Sequence, residues 1–166
     1  MNLEKTRNMA LKLMRQHGLI SYTFKWDRAV RRFGSCNGIT KTISLSRPLT
    51  LHETNEYRVK NTILHEIAHA LDHKQRGYSN HDANWKRIAR SIGCSGERCS
   101  SSAGVDKSKI LKWVATCPSC ERKVYYARQK SKDIACGKCC KKHNNNKYAS
   151  EYKFNWKLNR NVVKYI

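Results

Sequence analysis

The segment His65-Glu66-Ile67-Ala68-His69 restricts this chain more than any other five residues. Four positions apart on a helix, His65 and His69 stand one turn above the other, so both imidazoles can reach one metal ion. The flanking Ile63, Leu64, Ile67, Ala68, Ala70 and Leu71 are all apolar or small, which predicts a buried helix rather than a surface one. Two histidines and a glutamate buried together need a partner, and a metal supplies it. Zinc is the ion this donor set suits, with Glu66 placed to take a proton from water at an open zinc position.

A zinc that keeps an open position has three protein ligands. His73 continues the same helix, but three ligands strung along about 12 Å of axis cannot meet at one ion. Asp72, three residues past His69, fails for a related reason. Gly77 ends the helix, after which the chain can return and present His81 at the start of the next helix. Glu97 is a more distant alternative, and His81 is preferred. The longer pattern with Gly and His at positions 72 and 75 is absent, since Asp72 and Gln75 stand there.

The elements around this helix are legible in outline. Leu3 to His17 reads as a helix with Leu3, Ala10, Leu13, Met14 and His17 near one face and Gly18 as its stop. Tyr22 to Trp26, Arg31 to Cys36 and Thr42 to Ser46 read as short strands, with Asn37-Gly38 as a hairpin signal. Thr50-Leu51-His52-Glu53 has the form of a capping box, opening helical sequence that runs, with a kink, to about Gln75. Ser79 or Asn80 is expected to cap a third helix through Ile92, closed by Gly93.

Cysteines set the second constraint. Cys117-Pro118-Ser119-Cys120 and Cys136-Gly137-Lys138-Cys139 make two C-x2-C knuckles separated by fifteen residues, the spacing of a four-thiolate structural zinc site. A segment this short and polar cannot fold on its own apolar core, so the metal must supply folding free energy. Cys140 could replace Cys139, which is chosen for its spacing. Cys36 is expected to fill a strand position, and Cys94 and Cys99 to be spare thiols. Two domains joined by a linker follow: 1–94, then a Ser- and Gly-rich linker over 95–109, then 110–166, expected as short strands with a basic, aromatic-rich tail.

Charge sets the third. The 166 residues hold 34 Lys and Arg against 12 Asp and Glu, a net charge of +22. Residues 105–166 are about twice as dense in net positive charge as the remainder. Aromatics are interleaved with these cations, among them Trp113, Tyr125, Tyr126, Tyr148, Tyr152 and Trp156. Basic groups can follow phosphates while aromatic faces stack unpaired bases, so the expected partner is DNA, single-stranded or disrupted duplex, read without strong sequence specificity. About half of these aromatics are expected to be the ribbon's small core instead. No apolar run is long enough to span a membrane, and the charged first residues do not form a secretory signal, so an intracellular chain is expected.

The stretches Arg32-Phe33-Gly34-Ser35-Cys36, Ile43-Ser44-Leu45-Ser46, Leu64 to Leu71 and His81-Asp82-Ala83-Asn84-Trp85-Lys86 resemble the SprT-like domain, the metalloprotease domain of the Spartan family, which cuts proteins crosslinked to DNA. The resemblance covers about residues 1–140. It implies an α+β, zincin-like fold of an N-terminal helix, a small β-sheet, the H-E-x-x-H helix and a following helix, with a small β zinc ribbon after them. It further implies that His65, His69 and His81 bind a catalytic zinc and that Glu66 is the general base, a second, structural zinc lying in the ribbon. The resulting expectation is a zinc-dependent endopeptidase acting on DNA-bound proteins, cytoplasmic or nucleoid-associated, or in the host cytoplasm if viral. For the oxyanion, Tyr78 or a nearby arginine is the candidate. The competing expectation is a non-catalytic DNA-binding regulator whose histidine site is closed by a fourth ligand such as Cys94 or Cys99.

Overall fold

The computed structural model describes residues 1–97 and 105–162, which divide into two units, Met1–Val105 and Asp106–Ile166. Of the linker expected over 95–109, residues 98–104 lie outside the described residues, and Cys99 with them.

The first unit opens with α1 (Leu3–Gln16), capped by the Asn2 side chain, which accepts from the Lys5 amide at 3.1 Å. Thr6, Ala10 and Met14 are buried at intervals of four, the period that puts them on one stripe. Gly18, at φ 69°, then reverses the chain. The strands β1 (Thr23–Asp27), β2 (Gly34–Asn37) and β3 (Thr42–Ser46) form a sheet in the order β1-β3-β2, with β1 parallel and β2 antiparallel to β3. The central β3 is buried from Ile43 to Ser46, as a strand covered on both sides must be.

Two features of the sheet differ from expectation by more than one residue. β2 starts at Gly34 rather than Arg31, because Asp27 takes the Ala29 amide at 2.9 Å and the Arg32 guanidinium at 2.8 Å and so bends the chain. The hairpin after Asn37-Gly38 has four loop residues, not two. Asn37 Oδ1 accepts from the Thr40 amide at 2.9 Å, and Lys41 adopts φ 48°.

The expected capping box at Thr50 is not one. Ser46 Oγ accepts from the Leu49 amide at 3.1 Å and starts a short helix, α2 (Arg47–His52), with Pro48 in its first turn. Thr50 is thus already inside α2. Glu53 ends it, and Glu53 Oε1 accepts from the Thr54 and Asn55 amides at 3.0 Å each. The long helix α3 (Glu56–Arg76) then begins under an Asn55 cap and is closed by Gly77 at φ 78°, a left-handed position that glycine fills without strain.

Two apolar clusters bury α3 on opposite sides. Val59, Ile63, Ile67 and Ala70 pack with Ala10, Met14, Ile43 and Leu45 from α1 and the sheet. Leu64 and Ala68 pack with Trp85, Ile88 and Ala89 of α4 (Ala83–Ser91). Each fully buried side chain of this size contributes roughly 1.5–3 kcal/mol, so the helix that carries the histidines is held from both flanks. The cap of α4 is Asp82, whose Oδ1 accepts from the Trp85 amide at 3.0 Å, rather than Ser79 or Asn80.

The second unit is a three-stranded antiparallel sheet, β4 (Trp113–Thr116), β5 (Lys123–Tyr126) and β6 (Asn155–Leu158), in the order β5-β4-β6. One helix, α5 (Gly137–His143), begins at the second cysteine knuckle, where only strands were expected. Ala115, Cys117, Cys136, Cys139 and Phe154 are its buried centre, with Tyr126, Tyr152 and Trp156 packed against them. Three of the six interleaved aromatics therefore belong to the ribbon core, the share expected, while Tyr148 is 55% exposed. Among the described residues no helix is long and apolar enough to cross a membrane.

Candidate metal centres

Because α3 is a regular helix through residues 65–69, His65 and His69 project from one face. The return after Gly77 brings His81 to them. His81 Nε2 lies 3.0 Å from His65 Nε2 and 3.0 Å from His69 Nε2, so three ring nitrogens converge on one point. Ligands about 2.0–2.1 Å from a tetrahedral ion stand about 3.3 Å apart, close to the spacing found. Glu97, the alternative third ligand, is exposed and does not join the group.

The fully buried Trp85 ring forms the floor of the triad. Its centroid lies 4.6 Å from the His65 ring, 5.0 Å from His69 and 4.6 Å from His81. Behind His69 the polar support is equally specific. His69 Nδ1 is 2.8 Å from Ser79 Oγ, and Ser79 in turn hydrogen-bonds the fully buried Asp72 carboxylate. A carboxylate can only accept, so Ser79 donates to Asp72 and accepts from His69 Nδ1–H. That chain leaves the lone pair of His69 on Nε2, facing the centre. The Nδ1 of His65 is buried, and the Glu97 backbone is the polar group beside that imidazole.

Burial and the neighbouring imidazoles pull both helix histidines well down, His65 to about 4 and His69 to about 4, so each ring is neutral near pH 7 and able to ligate. Glu66, 6% exposed, is moved the other way, up to about 8; burial is the main cause, with the Arg32 charge pulling it down and Asp27 pushing it up. A cation beside the triad would favour the ionised carboxylate.

A cavity of about 430 Å³ lies over these groups, and its walls include Arg32, Gly34, Cys36, Glu66, His73 and the triad. Gly34 matters here for want of a side chain. A Cβ at that position would stand 2.8 Å from Glu66 Cγ and Oε1 and 3.0 Å from Thr62 Cγ2, closer than carbon atoms pack. His73 walls the cavity without joining the triad, in keeping with its place further along the helix. Of the two oxyanion candidates, Arg32 reaches the cavity, whereas Tyr78 is 53% exposed and stacks under the Arg76 guanidinium at 4.5 Å.

In the second unit Cys117, Cys120, Cys136 and Cys139 converge. The Cys117–Cys139 and Cys120–Cys136 sulfur pairs are 3.8 Å apart. Zinc–sulfur bonds of about 2.3 Å in a tetrahedron give the same separation. Cys140 is buried beside the four but is not among them. Cys36 packs against the core beneath β2 and has its thiol pushed up to about 12, by burial first and by Glu66 second. Cys94 is buried against α4, its sulfur 3.8 Å from the Asn61 carbonyl, and is not a fourth ligand to the histidines.

Reading the sequence left Ser79 as a helix cap and gave no role to Trp85, Asp72 or Arg76. The one available signal was the density of polar residues in Asp72 to Asp82, which exceeds what a turn after Gly77 requires.

A family model described as the SprT-like family matches residues 3–104. The "Protein SprT-like" of Lactococcus lactis subsp. lactis (strain IL1403) is 29% identical over 139 residues, spanning 81% of this chain and 86% of that protein. Among solved structures, the crystal structure of the metallopeptidase zymogen of Methanocaldococcus jannaschii jannalysin aligns with 55% of this chain and 85% of its own, at 17% identity and a TM-score of 0.44. With more than half of its length matched by the family model, and the histidine helix within the matched part, this chain belongs to the SprT-like family.

Proposed function

We propose that this protein is a zinc-dependent endopeptidase that acts on proteins bound or crosslinked to DNA. The observation that carries the reading is the meeting of three histidine nitrogens beside a buried glutamate in an open cavity. His65, His69 and His81 would hold the catalytic zinc, and Cys117, Cys120, Cys136 and Cys139 a structural one. Zinc in the histidine site supplies a Lewis acid that polarises the scissile carbonyl and acidifies water. Glu66 is the general base: it takes the proton of the attacking water and delivers it to the leaving amine. Gly34 leaves the room in which that carboxylate swings, and Arg32, at the cavity wall, is the residue placed to meet developing negative charge.

The DNA part of the reading is supported by charge and by the ribbon's register. In the second sheet Thr116 pairs with Lys123, and Val114 pairs with both Tyr125 and Lys157, so these residues share the face opposite Ala115 and the core. Two lysines on the same face as a half-buried tyrosine suit a phosphate backbone with unpaired bases. Held on DNA by this unit, the peptidase would meet DNA-bound proteins at raised local concentration. The setting proposed is the cytoplasm, at the nucleoid.

The test is cleavage of a basic DNA-binding protein by the purified chain, with and without single-stranded DNA. DNA-stimulated cutting that Glu66→Gln lowers at least about 100-fold while retaining zinc is expected. Salt-sensitive DNA binding with no cutting by the zinc-loaded protein under any of these conditions would transfer the weight to a non-catalytic regulator.

A further inference from the structure

The six residues from Gly77 to Asp82 carry both Ser79 and His81, and one guanidinium joins the two ends of this loop. Arg76, the last residue of α3, donates from Nε to Asp72 Oδ1 at 2.8 Å and from Nη2 to Asp72 Oδ2 at 2.7 Å. The same guanidinium donates from Nη1 to Asp82 Oδ2 at 3.0 Å and from Nη2 to Asp82 Oδ1 at 3.1 Å. Asp72 is wholly buried and also accepts from Asn84 Nδ2 at 2.8 Å, while Asp82 caps α4 one residue after His81. Arg76 therefore joins the helix that bears two ligand histidines to the helix entry that bears the third.

We propose that Arg76 is the positioning residue of the histidine triad, its fork between Asp72 and Asp82 setting the metal affinity of a site it does not touch. Without the guanidinium two carboxylates face each other, one of them buried with an uncompensated charge, and the loop opens to relieve both. His81 then leaves the 3.0 Å range of His65 and His69, and Ser79 leaves His69. Lysine is no substitute, because a single ammonium cannot present parallel donors to two carboxylates. Tyr78 lies under the guanidinium and covers it on one side.

The inference rests on the metal-site reading proposed above, and the test separates the two. The full chain is loaded with zinc at the cysteine site, and the affinity of the histidine site for zinc and for cobalt(II) is measured by chelator competition and by the visible bands of cobalt. Failure of the parent protein to bind a second equivalent would overturn the metal reading itself. If the parent binds, Arg76→Met and Arg76→Lys are each expected to weaken the histidine site by about 10–100-fold and to alter its cobalt spectrum, leaving the thiolate site unchanged. Asp82→Asn keeps an oxygen to cap Trp85 but loses the charge, and an intermediate loss is expected. A folded Arg76→Met protein that binds within threefold of the parent overturns the proposal. Should that variant fail to fold, parent-like affinity in Asp82→Asn overturns it instead.

Discussion

In the first unit the ligand nitrogens hang from a helix already buried by two apolar clusters, whereas in the second the ligand sulfurs are themselves much of the core. His65 and His69 sit between Ile63, Ile67 and Ala70 on one side and Leu64, Ala68 and Trp85 on the other. Around the cysteines the fully buried apolar partners reduce to Ala115 and Phe154, with a rim of half-buried aromatics. The difference fits the roles proposed for the two sites. A centre that works on a substrate keeps a position open, so its ligands have to be held in place by something other than the metal. A closed four-thiolate centre can leave that work to the ion.

Breaking the comparison at its strongest point means removing a cysteine. Cys136→Ser is expected to unfold the second unit outright, since structural zinc in units of this size contributes on the order of 10 kcal/mol of folding free energy. Limited proteolysis should then cut within 106–162 while the first unit keeps its amide spectrum; a second unit that stays protected would show that its aromatic rim suffices. In the first unit the corresponding loss is smaller and comes from packing. Trp85→Ala, which removes the floor under all three imidazoles, should cost about 3–5 kcal/mol in thermal unfolding, with Trp85→Phe recovering much of it.

Acid sharpens the contrast in the metal-free protein. His65 and His69 titrate near 4 in the folded chain but near 6.5 when unfolded, so below 6.5 the unfolded state takes up protons that the folded state refuses. Stability of the chelated first unit is therefore full above pH 6.5 and falls as pH drops toward 4, by roughly 2 kcal/mol after allowance for solvent screening. Unfolding midpoints measured against pH would show a flat profile if these histidines were not depressed. The smallest expected effect is that of Gly34→Ala, about 1–2 kcal/mol from overpacking against Glu66 and Thr62. Cleavage should drop with the metal affinity of the triad unchanged, and an equal loss of both would move Gly34 from the base to the ligands.

The parts of the fold that were legible are those where one short stretch decides. The run from Ile63 to Leu71 announced a buried helix because every residue in it other than His65, Glu66 and His69 is apolar or small, and the two C-x2-C knuckles announced a closed site because each is complete within four residues. The capping box at Thr50 misled because two stronger starters lay just upstream: Ser46 takes the Leu49 amide and Pro48 has its φ already set for a first turn. Ser79 misled in the opposite sense. It has the chemistry of a helix cap, but His69 and Asp72 claim its hydroxyl, and Asp82 caps α4 in its place. The helix α5 was missed because Gly137-Lys138-Cys139-Cys140-Lys141-Lys142-His143 lacks an amphipathic period of its own; its buried face is supplied by Cys139 and Cys140.

By itself the sequence determined the chemistry on offer: two imidazoles one turn apart, a glutamate beside them, four thiols at knuckle spacing and a surplus of positive charge. Those depend on covalent spacing and on single turns of helix, which neighbouring residues set before any distant contact forms. Only the tertiary structure decided how close His81 comes to the helix, what lies beneath the three rings and which side chain spans the loop between them. Each of these pairs groups on different elements, and what brings them together is the packing of α4 on α3 and the fork of Arg76 between two carboxylates.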